Sequence, residues 1–172
     1  MTNYYRIWLG QQSAFADECK SGSFIGVDYG IYQDLTNELP DRWQEFNEKF
    51  RPIWLDLHPG KNKISAGLSC GALHTVCKGI IQEDVVLCPD GHGSYMVGDI
   101  VGDYSYHPGL NLPHRRNVRW HPRSIRRDEM SRELQNSTGS IGTVAQVTKH
   151  SEELKRLISG ETGPTLISPD PT

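Results

Sequence analysis

The stretch DVVLCPDGHGSYMVGDIVGDYSY, residues 84–106, decides the fold class. Its two halves, DVVLCP (84–89) and SYMVGDIVGDYSY (94–106), are rich in the β-branched and aromatic residues that suit a pleated, half-buried surface. Between them DGHG (90–93) supplies the aspartate and glycines of a hairpin-type turn. A third run, RNVRW (116–120), follows within the alternating segment HRRNVRWHP (114–122). Strands that succeed one another through turns pair antiparallel, which argues against a doubly wound parallel sheet.

Outward from this segment, NYYRIWL (3–9) reads as a strand with Tyr5, Ile7 and Leu9 on one face and Tyr4, Arg6 and Trp8 on the other. SFIGVDYG (23–30) is a second strand bounded by glycine. SAFADECKSG (13–22), closed by Gly22, is a short helix, and PDRWQEFNEKF (40–50) sets Trp43, Phe46 and Phe50 at helical spacing. NKISAGLSCGALHTVCKG (62–79) keeps a helical apolar stripe despite Gly67 and Gly71. Each of these costs about 1 kcal/mol relative to Ala, which is tolerable where another group must come close. IRRDEMSREL (125–134) resembles a helix. SEELKRLI (151–158) is a better one, with Ser151 as cap, Glu152 and Glu153 at its positive end, and Lys155 and Arg156 at its negative end. The order predicts an α+β fold, a small mixed β-barrel flanked by helices, spanning residues 1–160. Residues 161–172 are Pro-rich and aperiodic, a linker or tail leading to a further domain.

Composition limits function. A chain of 172 residues with 36% hydrophobic and 23% charged residues is a soluble domain with a core of its own. It has no apolar run near 18 residues and no basic n-region at its start, which predicts a cytoplasmic protein with no membrane contact. Cys19, Cys70, Cys77 and Cys88 form no C-x-x-C pair and sit among apolar neighbours, as buried reduced thiols do. Catalytic patterns fail one by one. The Pro-Asp at 89–90 is not followed by Asp/Glu-x-Lys, PDGHGS lacks the calcium-loop ladder, GETGPT lacks the P-loop lysine, and no G-x-S-x-G occurs. We therefore expect no metal, no cofactor and no catalysis by the domain itself. The enzymatic alternative is a nucleic-acid-processing site built on Asp90 and Asp99.

Charge is unevenly placed. From His114 to Arg127 there are six Arg and no acid, a charge of +6, so the other residues must sum to −9 to give the net −3. Arginine concentrates where bidentate contact with phosphate is useful. His114, Arg115, Arg116, Arg119, Arg123 and Arg126 are accordingly expected to grip a nucleic-acid backbone with salt-dependent affinity. The competing reading is a basic face paired with the acidic remainder or with an acidic protein partner. Aromatic residues beside turns favour nucleic acid. Trp8, Phe24, Tyr29, Tyr104, Tyr106 and Trp120 lie on or at the ends of strands that a small barrel brings together; of these Phe24, Tyr29, Tyr104 and Tyr106 are expected to receive a base, each stack being worth about 1–3 kcal/mol. Asp28, Asn136 and Ser137 are of the right type for a base edge.

SFIGVDYGIYQDLT (23–36), the segment 64–109, LPHRRNVRW (112–120) and LQNSTGSIGTV (134–144) together resemble the N-terminal module of bacterial Mrr-like restriction endonucleases. That module is in turn similar to the PUA-like superfamily of YTH and EVE domains, whose Val-Arg-Trp strand NVRW resembles. The resemblance implies a PUA-like barrel that reads a methylated base, flipped from double-stranded DNA into an aromatic cage, and that targets a C-terminal nuclease domain. An RNA-binding PUA-like domain is the alternative. YTH domains carry Trp after Gly-Val on the second strand, whereas GVDYG places Asp28 and Tyr29 there. Burying one methyl carbon against the cage is worth only about 0.8 kcal/mol.

Overall fold

Hairpin strands β3 (Val85–Pro89) and β4 (Ser94–Tyr106) form the centre of the sheet in the computed structural model, which describes residues 1–160. Asp90 closes the turn between them. Its backbone N–H donates to Ser94 O (3.0 Å) while its carboxylate accepts from the N–H groups of His92 (2.7 Å) and Ser94 (3.2 Å). β5 (His114–Trp120) pairs with the far half of β4, across a register shift between Ile100 and Tyr104. β1 (Tyr4–Ile7) lies parallel to β3, and β2 (Phe24–Val27) antiparallel to β5. β6 (Ile125–Arg126) adds to the start of β4, and β7 (Val144–Gln146) to β1. The result is one seven-stranded, mostly antiparallel sheet in the order β2-β5-β4-β3-β1-β7, with β6 off this path.

Both faces of the sheet are covered. On one, Tyr5, Ile7, Ile25, Val86, Ile100 and Val118 pack with α1 (Ala16–Gly22), α2 (Trp43–Leu57) and α3 (Lys63–His74). On the other, Tyr4, Leu87, Val97 and Ile125 meet Leu134 of α4 (Arg132–Thr138) and Leu154 and Leu157 of α5 (Ser151–Ile158). The alternation of residues 3–9 thus separates two cores, as period-two geometry requires.

Several local expectations are corrected. Residues 125–134 do not form one helix, because Ile125 is buried in the second core and pairs with Tyr95 as a strand; the helix starts only after Ser131. α2 runs past Pro52 to Leu57, held by the buried Trp54. Ser151 begins α5 without capping it. A Cβ on Gly67 or Gly71 would meet nothing closer than 3.8 Å, so close approach does not demand glycine there. The sheet curls far enough to bring the ends of β1 and β2 to one cavity but is not closed into a barrel: no ladder joins β2 to β1 or β7 among the described residues. Its two end strands are short, at four and three residues, and a cavity separates them. The expected linker at 161–172 lies outside the described residues. No described helix is long and apolar enough to cross a membrane. All four cysteines are buried free thiols, and burial raises Cys70 to about 11 and Cys19 to about 12.

Candidate functional site

The cavity between the sheet ends measures about 570 Å³ and is walled by Trp8 beyond β1, Gly26–Tyr29 at the end of β2, Leu112 before β5, and Gly142 and Thr143 before β7. That size falls within the ordinary range for small-ligand pockets. It exists because strands distant in sheet order approach one another. Gly26 serves a different contact, the close passage of β2 beside the segment that leads into its neighbour β5, since a Cβ there would lie 2.8 Å from Leu112 O.

Tyr29 is held in a costly conformation. Its φ of 53° is left-handed, which tyrosine seldom adopts and which surrounding structure must enforce. α2 supplies that enforcement: Trp54 Nε1–H donates to Tyr29 O (3.0 Å), and the His58 ring, itself bound to Trp54 O (2.7 Å), lies against Gly30. Burial raises the Tyr29 phenol, opposed by the Thr143 side chain and the Arg6 guanidinium nearby. Asp28 uses one carboxylate oxygen to accept the Gly30 N–H at 2.9 Å. The opposite wall is fixed by Arg6. This fully buried guanidinium donates to Thr138 O (2.7 Å), Ser140 O (2.9 Å) and Gly142 O, shaping the loop that carries Thr143.

Of the residues proposed from sequence to hold a base, Asp28 and Tyr29 line this cavity. The others lie elsewhere. Phe24 is a core residue, its ring covered by the Arg115 guanidinium at 3.8 Å. Tyr104 and Tyr106 flank the His114 ring at 5.8 and 5.2 Å between centroids. Asn136 is exposed on α4, and Ser137 bonds to His150 Nε2 at 2.8 Å. Arg6 and Thr143 were missed, and Trp8, grouped by sequence with the aromatics that the strands bring together, was not assigned to the site. Trp8 and Arg6 alternate on one face of the first strand, a signal that reads more readily as solvated polarity.

The arginine strand requires a larger correction. His114, Arg115 and Arg116 are buried and cannot reach a phosphate in this conformation. Arg116 donates to Gly102 O (2.8 Å), Val76 O (3.0 Å) and Ile80 O (2.5 Å), carbonyls associated with the irregular stretch of β4 and with the π-helical turn Thr75–Gly79 after α3. Five donors on a rigid fork make arginine well suited to that task. Arg115 likewise donates to Leu112 O (3.0 Å) and Asn111 O (2.7 Å). His114 Nε2 lies 2.6 Å from Ile31 O and its Nδ1 2.8 Å from Tyr104 Oη, which also accepts the Leu35 N–H at 3.1 Å. One tautomer satisfies the set: Nε2–H donates to Ile31, and Nδ1 accepts from the tyrosine.

Arg119, Arg123 and Arg126 are exposed and paired with acids. Arg119 meets Asp99 at 2.7 Å, Arg123 meets Glu129 at 3.4 Å, and Arg126 meets Asp128 at 3.3 Å. Asp99 also contacts His121 at 3.0 Å, and Asp90 is engaged in its hairpin, so both carboxylates of the enzymatic alternative have structural partners. Among the described residues no group of three His, Cys, Asp or Glu could hold a metal ion.

Residues 5–148 match the family described as "Domain of unknown function (DUF8426)", a span covering most of the chain, which therefore belongs to that family. No curated protein matches.

Proposed function

We propose that this chain is a PUA-like binding module that accepts one modified base, extruded from duplex DNA, into the cavity between the ends of β1 and β2. The observation that carries the reading is that two aromatic residues, Trp8 beyond β1 and Tyr29 beyond β2, line one cavity of suitable size. Taking a base out of the stack costs a few kcal/mol, and stacking on aromatic side chains can recover it. The strained backbone at Tyr29 is in keeping with a preformed site. Asp28 adds selectivity. A carboxylate accepts from an exocyclic amine and repels the O4 acceptor of thymine, so a base that carries an exocyclic amine is favoured over thymine.

Phosphate contacts fall to the exposed Arg119, Arg123 and Arg126. Their surface ion pairs are each worth about 0–1 kcal/mol, so exchanging a carboxylate for a phosphate costs little. In this reading the module directs a linked nuclease to modified sites.

The test is fluorescence polarisation with duplexes carrying 5-methylcytosine, N6-methyladenine or neither, across a salt series. One modified duplex should bind more tightly, and Trp8→Ala and Tyr29→Ala should each cost about 1–3 kcal/mol of that binding. Equal affinity for all duplexes would refute base reading. Failure to bind any duplex would refute nucleic-acid recognition altogether.

A further inference from the structure

A second concavity, about 850 Å³, lies where α2 and α3 overhang the β7 edge. Trp43, Ile64 and Leu68 line it and are exposed, Ile64 and Leu68 by more than 70%. Ile64 and Leu68 are one helical turn apart on α3 and form a continuous apolar wall. Contiguous exposed apolar surface of this kind commonly marks an interaction site.

The other wall is backbone. Along β7, Trp8 N–H donates to Thr143 O (2.9 Å) and Val147 N–H to Tyr4 O (2.7 Å). In an antiparallel ladder the residues facing the partner alternate, so Thr143, Ala145 and Val147 face β1. Val144 and Gln146 therefore turn their N–H and C=O groups away from it. Both line the concavity, and neither backbone has a partner among the described residues. The edge is thus a row of unpaired donors and acceptors beside an apolar wall.

The charge is positive. Arg51 and Lys63 line the same concavity with no ion pair among the described residues, whereas its Asp41 is paired with Lys78 at 3.6 Å.

We infer that this groove binds an extended peptide segment of a partner protein, with alternating apolar side chains and at least one Asp or Glu, as an added strand on β7. Strand addition supplies affinity through the main chain and specificity through alternate side chains. Here Trp43, Ile64 and Leu68 take the inward apolar residues, and Arg51 and Lys63 take the acid. The inference is independent of the base-reading proposal, because the two concavities share no lining residue.

The experiment selects a displayed library of random twelve-residue peptides on the whole chain, then maps an enriched peptide by amide chemical shifts. Enriched sequences should alternate apolar residues and carry Asp or Glu. Shifts should centre on Val144 and Gln146, and the double variant Arg51→Glu, Lys63→Glu should weaken binding at least tenfold. Leu68→Ser, at an exposed position, should weaken it without lowering the melting temperature. The inference is overturned by no enrichment over bare support, by basic or sequence-indifferent peptides, or by shifts that avoid β7. Concentration-dependent shifts at Val144 and Gln146 without peptide would also overturn it, in favour of a second copy of this chain.

Discussion

Arg116 and Arg119 stand three residues apart on β5, one buried among carbonyls and one exposed beside Asp99. Replacing Arg116 by Met would remove the donor to two buried carbonyls, Val76 O and Ile80 O, and to the half-buried Gly102 O, and unsatisfied buried groups cost about 1–3 kcal/mol each. Urea denaturation should therefore show Arg116→Met destabilised by about 3 kcal/mol or more, and Arg119→Ala by less than about 1 kcal/mol. Similar losses in the two variants would contradict the assigned roles. His114 makes a pH prediction. Burial lowers its affinity for a proton in the fold, and protonating Nδ1 would set N–H against the Tyr104 hydroxyl hydrogen. The unfolded chain then binds more protons, so this contribution is complete above about pH 6.5 and is lost as pH falls below it. The melting temperature should drop between pH 7 and pH 5, and His114→Gln should flatten that slope. A slope unchanged in the variant would assign it to other groups.

At the scale of elements, α2 acts as the brace of the cavity. Its last turn holds Tyr29 through Trp54 and packs His58 on Gly30, whose φ is 70° and whose Cβ position lies 2.3 Å from His58 Nε2. Gly30→Ala should strain the loop and displace the brace. Hydrogen exchange should quicken at residues 28–31 while the β3–β4 hairpin stays protected; unchanged exchange at 28–31 would show that α2 does not brace them. The sequence displays these elements unequally. β1 to β5 announce themselves by β-branched and aromatic runs, whereas β6 and β7, of two and three residues, are too short to leave a period. The alternation at 114–120 places His114, Arg116, Val118 and Trp120 on one face, and that pattern holds. What composition hides is that the face turns inward, since burying arginine depends on carbonyls supplied from residues 76, 80 and 102. Trp8 is equally hard to recognise as a cavity residue, because its importance comes from the curl that brings β1 near β2.

For the whole molecule, the curl gives the chain two separate concavities, one between the sheet ends and one beside the β7 edge, each carrying a tryptophan. The four tryptophans, Trp8, Trp43, Trp54 and Trp120, provide one indole N–H reporter in each of four places. The most direct test of base capture follows those signals as a duplex with a single methylated base is added. The Trp8 resonance should shift and saturate at one equivalent, with a much smaller response to the unmodified duplex and little movement of Trp43. A methylated duplex that binds while Trp8 stays unmoved, or that moves Trp8 no more than its unmodified counterpart, would contradict the account.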